Sequence, residues 1–287
     1  AAAAPARLRA ISRTADAVTR RGRPIEAVSV RDFGDVAATG ASGRALERGR
    51  YLRAASQRLR SLPPEAFLLA LGGDNSVSIP CLQAFAARHG PGAGVIWFDA
   101  HPDLFATYDG SPEAHACALR RAMTTAGLSP RRVVLLGTRS FSREEAAFIA
   151  AERIEVITAA EWRASGSARV ASRIRSRLKG CPAVYLAIDI DGFDASCAPG
   201  TGYPMPGGVG ADAFFDLLER LFGALPLRAM DITEVCPARD PSDVTAFLAA
   251  QVVLETLGAL GRGDPAPARP ARRRRPAPPA AGPRRRA

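Results

Sequence analysis

Residues 94–105 read GVIWFDAHPDLF. The apolar run Val95 to Phe98 gives way at once to Asp99-Ala100-His101-Pro102-Asp103. A run without polar alternation is the pattern of a strand buried on both faces, as in a parallel sheet covered by helices. Two other stretches repeat the design. Val184 to Ile188 is followed by Asp189-Ile190-Asp191, and the run 66–71 by Gly72-Gly73-Asp74-Asn75-Ser76. Open parallel sheets bind ligands outside the carboxyl ends of their strands. Three polar clusters behind three buried strands are therefore expected to meet in one crevice.

Outward from these motifs, short apolar runs alternate with amphipathic ones. Strands are predicted at 25–31, 66–71, 94–98, 132–137, 154–157, 183–188 and 228–235. Helices are predicted at 43–60, 76–88, 115–126, 143–152, 168–178, 211–223 and 242–260, several with Ser or Asp near their starts. Strand-helix alternation implies an α/β fold, a mainly parallel sheet with helices on both faces, in one domain over residues 1–260. Residues 261–287 read as a disordered basic tail: proline and runs of arginine with no large apolar residue cannot repay the entropy of ordering.

Composition narrows the functional classes. The formal net charge is +11, but residues 262–287 hold nine arginines and one aspartate, which is +8 of it. The body is near neutral, so the charge does not by itself point to a polyanion partner. A nucleic-acid or acidic-surface contact through the tail is the weaker reading beside a solvated extension. No apolar stretch approaches the roughly 20 residues that span a bilayer, so no transmembrane helix is expected. No secretory signal is visible and a cytoplasmic location is expected, although the chain does not begin with Met, which leaves room for a preceding segment. Cys81, Cys117, Cys181, Cys197 and Cys236 show no CxxC spacing and fit free thiols. Cys117 lies two residues after His115, where a buried small residue is favoured over a nucleophilic pair.

In extended backbone alternate residues face the same way, so Asp99, His101 and Asp103 can point into one site, as can Asp189 and Asp191. Unpaired, four carboxylates in one crevice repel and raise one another's pKa, the more so when buried. Divalent cations resolve that conflict. Mostly oxygen ligands with one nitrogen suit Mn2+, with Mg2+, Fe2+ or Co2+ less favoured, and no cysteine joins the cluster. Carboxylates can bridge, so the ligand count predicts two ions about 3.5–4 Å apart. A single Asp behind a strand is commonly only a helix N-cap. Here both acidic motifs occur in order behind buried strands.

Five stretches, LGGDNSVSIP (71–80), WFDAHPDLFATYDGSPEAHACALRRAM (97–123), LLGTRSFSREE (135–145), VYLAIDIDGFDASCAPGTGYPMPGG (184–208) and MDITEVCPARDPSDVTAFLAAQ (230–251), resemble the ureohydrolase family of arginases and agmatinases. The resemblance covers about residues 5–260. It implies a three-layer α/β/α fold, and Asp99, His101, Asp103, Asp189 and Asp191 as manganese ligands. It further implies His115 as a mobile acid/base histidine, Glu234 as the carboxylate that holds the guanidinium, and a homo-oligomer, commonly a trimer or hexamer. Two departures stand out. The family has a metal-binding His where this chain has Asn75, whose amide oxygen is a weaker donor, so the ion beside it is expected to be the looser. The contrary reading has Asn75 only capping the helix that follows. The family's first strand is also expected to be absent from this sequence, since residues 1–10 already resemble the segment leading into the first helix.

The resemblance implies attack of metal-activated water on a guanidinium carbon. His115 would pass a proton to the leaving amine, Asp191 would stabilise developing charge, and Glu234 would orient the substrate by bidentate pairing. The segment Phe105 to Ala114 carries Asp109 and Glu113 and no basic residue to pair with an α-carboxylate. A small cationic guanidino substrate is therefore expected, with agmatine hydrolysed to putrescine and urea and both acids as candidate substrate contacts; that the two are merely solvated is the alternative. Arginine, formiminoglutamate and guanidinobutyrate remain open. The rival from another class is a metal-impaired member kept as a binding or scaffold subunit, motivated by Asn75 and the missing strand. A zinc deacetylase lacks the paired histidines it needs among 3. His89 reads as a helix C-cap residue.

Overall fold

Six strands form one sheet in the order β1-β6-β5-β2-β3-β4, and every neighbouring pair is parallel. They are β1 (Leu68–Leu71), β2 (Gly94–Phe98), β3 (Val133–Leu136), β4 (Glu155–Ile157), β5 (Val184–Asp189) and β6 (Leu227–Thr233). The structure, a computed structural model, describes residues 1–25, 28–36 and 47–262. Helices α1 (Ala4–Ser12), α2 (Arg48–Arg60), α3 (Ser78–His89), α4 (Ala118–Ala126), α5 (Arg143–Glu152), α6 (Ala159–Arg177), α7 (Ala211–Ala224) and α8 (Val244–Leu260) cover it.

Two cores flank the sheet, and the strands supply both. Ile96 and Phe98 of β2 and Leu186 and Ile188 of β5 face a core shared with α1, α6, α7 and α8. Val95, Trp97, Tyr185 and Ala187, at the alternate positions, face a second core shared with α2, α3 and α4, with Phe148 and Ile149 of α5 at its edge. The unbroken apolar run of 94–98 is thus the consequence of two buried faces, each large side chain contributing roughly 1.5–3 kcal/mol by leaving water. The layers are α/β/α, as expected.

Some elements differ from expectation. No strand forms over the described residues of 25–31; Val30 is 66% exposed and has no sheet neighbour to cover it. No strand precedes β1 among the described residues, and β1 and β4 are the sheet edges. The first of the predicted amphipathic helices begins at Arg48, residues 43–46 lying outside the described residues. Short 3-10 turns, Asn75–Val77 and His115–Cys117, precede α3 and α4. Helix α6 starts at Ala159, well before residue 168, because Thr158 and Glu161 form a capping box. Gly166 interrupts it with φ +78° and so breaks the periodicity from which its start was judged. Segment Pro241–Leu260 is long and apolar enough to cross a membrane by length and composition, contrary to expectation, yet Ala246, Ala249 and Val252 are buried in the core. The Arg/Pro-rich stretch 263–287 lies outside the described residues.

Candidate active site

Because all six strands run the same way, their carboxyl ends open on one side of the sheet. The neighbours β1, β6, β5 and β2 end there in Asp74-Asn75, Glu234, Asp189 to Asp191 and Asp99 to Asp103. The predicted clusters are therefore adjacent in space although scattered in sequence. Main-chain donors aim the carboxylates. Asp99 accepts from His101 N through Oδ1 at 2.6 Å and from the Trp97 indole through Oδ2 at 3.0 Å. Asp189 Oδ1 accepts from Asp191 N at 2.8 Å, and Asp191 Oδ1 from Ala100 N at 3.1 Å, which ties the β5 loop to the β2 loop. Gly192 is required at this turn: a Cβ there would come within 2.8 Å of the Phe98 ring. Asp103 and Glu234 both take left-handed backbone, φ +52° and +62°, a strain that is tolerated at functional sites when the surroundings enforce it.

The four aspartates are buried, and their titration shows the conflict predicted from their number. Burial and the Asp191 charge push Asp99 up to about 8. Burial first, then neighbouring carboxylates, drives Asp103 and Asp189 well above the ordinary carboxylate range. His101 relieves part of this. Burial opposes its charge, yet hydrogen bonds to Asp191 and Asp99 push it up to about 11, and the same contacts hold Asp191 below its usual value against its own burial. Burial also raises Glu234 to about 7. One donor atom from each of buried Asp99, half-buried His101 and buried Asp191 lies within 4.8 Å of the others, an oxygen-and-nitrogen set that fits a divalent cation. His101 Nδ1 stands 3.1 Å from Asp191 Oδ2 and 3.4 Å from Asp99 Oδ1.

Asn75 is in the cluster, but not as the sequence implied. Its amide nitrogen, in place of its oxygen, faces the carboxylates, donating to Asp99, Asp103 and Asp189. Its oxygen accepts from the Thr233 hydroxyl, and its backbone N–H donates to Glu234 Oε1 at 2.9 Å. The capping alternative fails as well, since Asp74 caps the turn by accepting from Ser76 N.

His115 lies at the rim. Its ring stacks on Tyr203 at 6.4 Å and meets Tyr108 edge-on at 5.4 Å; Tyr203 in turn lies 6.3 Å from the His101 ring. The two acids of the 105–114 loop are not drawn into the cluster: Asp109 is exposed, and Glu113 faces Arg121 at 3.7 Å. Cys117 is buried with its thiol on Ser111 O and its pKa raised by burial, so it is no nucleophile. His89 ends α3 against Phe85, and Gly90, at φ +80°, closes the helix.

Several positioning residues escaped the sequence reading. The Arg139 guanidinium donates to the carbonyls of Asp191, Gly192 and Phe193 and to those of Met205 and Pro206. Buried Glu145 accepts from Leu104 N at 3.1 Å and pins the loop behind Asp103. Thr233 holds the Asn75 amide. Only Glu145 had a readable signal, the Ser142-x-x-Glu145 capping box. The others act through contacts with distant segments.

A family model described as "Arginase family" matches residues 1–258. Guanidinobutyrase of Pseudomonas aeruginosa is 32% identical over 239 residues, covering 83% of this chain and 73% of that protein. Agmatinase of Neisseria meningitidis is 36% identical over 190 residues, which is 66% of this chain but only 58% of that protein. The solved structure of proclavaminate amidino hydrolase from Streptomyces clavuligerus superposes with a TM-score of 0.81 at 29% identity, over 91% of this chain and 85% of that one. A match that runs through every strand of the sheet and all the loops that carry the carboxylates makes this chain a member of the arginase family.

Proposed function

We propose that the protein is a manganese-dependent hydrolase of a guanidino C–N bond, with agmatine as preferred substrate and putrescine and urea as products. The observation that carries the reading is the Asp99/His101/Asp191 donor set, its two carboxylates buried and its imidazole half-buried, beside Glu234 at the carboxyl ends of adjacent strands. Asp99, His101 and Asp191 would hold manganese, which when bound would supply a hydrolytic nucleophile by lowering the pKa of water towards neutrality. The remaining work falls to side chains of the chain. Glu234, with Oε1 engaged by Asn75 N, directs its carboxylate at the guanidinium and orients it by charge-assisted hydrogen bonds. His115, on the rim between Tyr108 and Tyr203, carries a proton to the leaving amine, and Tyr203 screens the entrance from water.

Agmatine is preferred because the loop 105–114 carries no cation to meet a carboxylate at a substrate's far end. A substrate with a carboxylate tail is the second reading. Arg239 donates to Gly202 O at 2.8 Å beside the Tyr203 loop and would meet such a tail, and the guanidinobutyrase relative matches the larger share of the chain. Urea or ammonia release from agmatine, arginine, guanidinobutyrate and formiminoglutamate, measured with the full chain before and after chelation and manganese addition, tests the proposal. Turnover of agmatine restored by manganese is expected. The absence of metal-dependent turnover on all four would overturn it.

A further inference from the structure

Three carboxylate oxygens converge on one atom. Asp99 Oδ2, Asp103 Oδ2 and Asp189 Oδ2 stand 3.1, 2.9 and 2.6 Å from Asn75 Nδ2. Oxygens of three buried acids drawn to one point are the surroundings a cation takes, and here the point is held by a neutral NH2 group with two protons to donate and no lone pair to bind a metal. The amide is locked in that sense. Its oxygen takes the Thr233 hydroxyl, its backbone N–H is held by Glu234, and the residue is 3% exposed. Turning it over would aim the amide oxygen at three carboxylate oxygens, whereas the Thr233 hydroxyl can serve either end of the amide.

The cation side of the cluster is separate from the amide side. Asp99 divides between them: Oδ1 lies 3.4 Å from His101 Nδ1, with Asp191 Oδ2 at 3.1 Å from the same nitrogen, while Oδ2 turns to Asn75. We propose that the protein holds one divalent cation per chain, on Asp99, His101 and Asp191, and that the Asn75 amide stands in for a second by joining Asp99, Asp103 and Asp189 through hydrogen bonds. The looser second ion expected from the sequence is thereby replaced with none. The inference rests on the metal-dependent reading above.

Metal content separates the two. The full chain, stripped with a chelator, reloaded with Mn2+ and freed of excess, is analysed for manganese per chain and by electron paramagnetic resonance. Wild type should retain one ion with the hyperfine spectrum of a magnetically isolated Mn2+. Asn75→His, which supplies a lone pair, should double the content to two and give an exchange-coupled spectrum. Asn75→Asp has the same shape and replaces the donor by an acceptor; it should admit a second ion as well and serves if the histidine variant does not fold. Two coupled ions in wild type would overturn this inference and leave the hydrolase reading intact. One ion in wild type and still one in both folded variants would overturn the role given to Asn75. No ion in wild type would overturn both readings.

Discussion

Arg139 is the residue whose loss the structure weighs most directly. Its guanidinium donates to Asp191 O at 2.8 Å, Phe193 O at 3.0 Å, Gly192 O at 3.2 Å, Gly137 O at 3.1 Å, Met205 O at 2.7 Å and Pro206 O at 3.2 Å. One side chain thus joins the end of β3, the turn that carries Asp191 and the loop that carries Tyr203. In Arg139→Met the carbonyls at the exposed edge regain water, whereas those of Asp191 to Phe193, in a buried turn, do not. A hydrogen bond from a charged donor contributes about 1.5–3 kcal/mol. Counting only the two shorter of these three bonds, to Asp191 O and Phe193 O, their loss without replacement predicts a cost of about 3–6 kcal/mol, a large part of the roughly 5–15 kcal/mol that holds a domain folded. Arg139→Lys keeps the charge but not the planar fork, and should cost about half as much. Because the released turn carries Asp191, Mn2+ affinity should also fall by at least about tenfold, or 1.4 kcal/mol. Urea denaturation of the metal-free proteins and Mn2+ titration of the folded ones measure the two effects. An Arg139→Met protein with wild-type denaturation midpoint and metal affinity would refute the reasoning.

Two further perturbations have definite signs. Buried Asp231 receives the Tyr185 hydroxyl at 2.7 Å, and burial pushes its carboxyl from 3.8 up to about 6. The folded state holds the proton more tightly than the open chain, so the contribution of Asp231 to stability is fully present below about pH 4 and is lost as pH rises through 6, by roughly 3 kcal/mol in all. In Asp231→Asn that dependence disappears while an oxygen remains for Tyr185. The stability difference between variant and wild type should move in the variant's favour by about 2 kcal/mol between pH 4 and pH 8, and parallel pH curves would sink the assignment. Gly200 packs on the Asp240 side chain, whose oxygens cap α8 by accepting from Thr245 N at 2.9 Å and Ala246 N at 2.8 Å. A methyl group at Gly200→Ala displaces that cap and should cost about 2 kcal/mol, seen as a melting temperature lower by several degrees; an unchanged Tm would show that the cap shifts without loss.

Much of the molecule was legible in its sequence because the signals are local. Short apolar runs rich in β-branched and aromatic residues, such as Val95 to Phe98, read as strands with two buried faces, and the structure divides their side chains between two cores. Acidic residues placed behind such runs lie at the carboxyl ends of parallel strands wherever those strands sit in the sheet, so Asp99, His101, Asp189 and Asp191 could be assigned to one crevice without knowing the strand order. The weak signals failed for equally local reasons: the short apolar run at 25–31 promised a strand that does not form among its described residues, and Gly166 hid the first turns of α6. What tertiary structure alone decided is the direction of individual polar atoms. Asn75 and Glu234 are 159 positions apart, yet Glu234 holds the Asn75 backbone N–H while the Thr233 hydroxyl donates to the amide oxygen on the side away from the carboxylates. Arg139 is defined by carbonyls of two loops 52 and more positions away. Hydrophobic burial reads out residue type and spacing, which a sequence displays; a hydrogen bond depends on distance and angle between atoms that only the assembled sheet brings together.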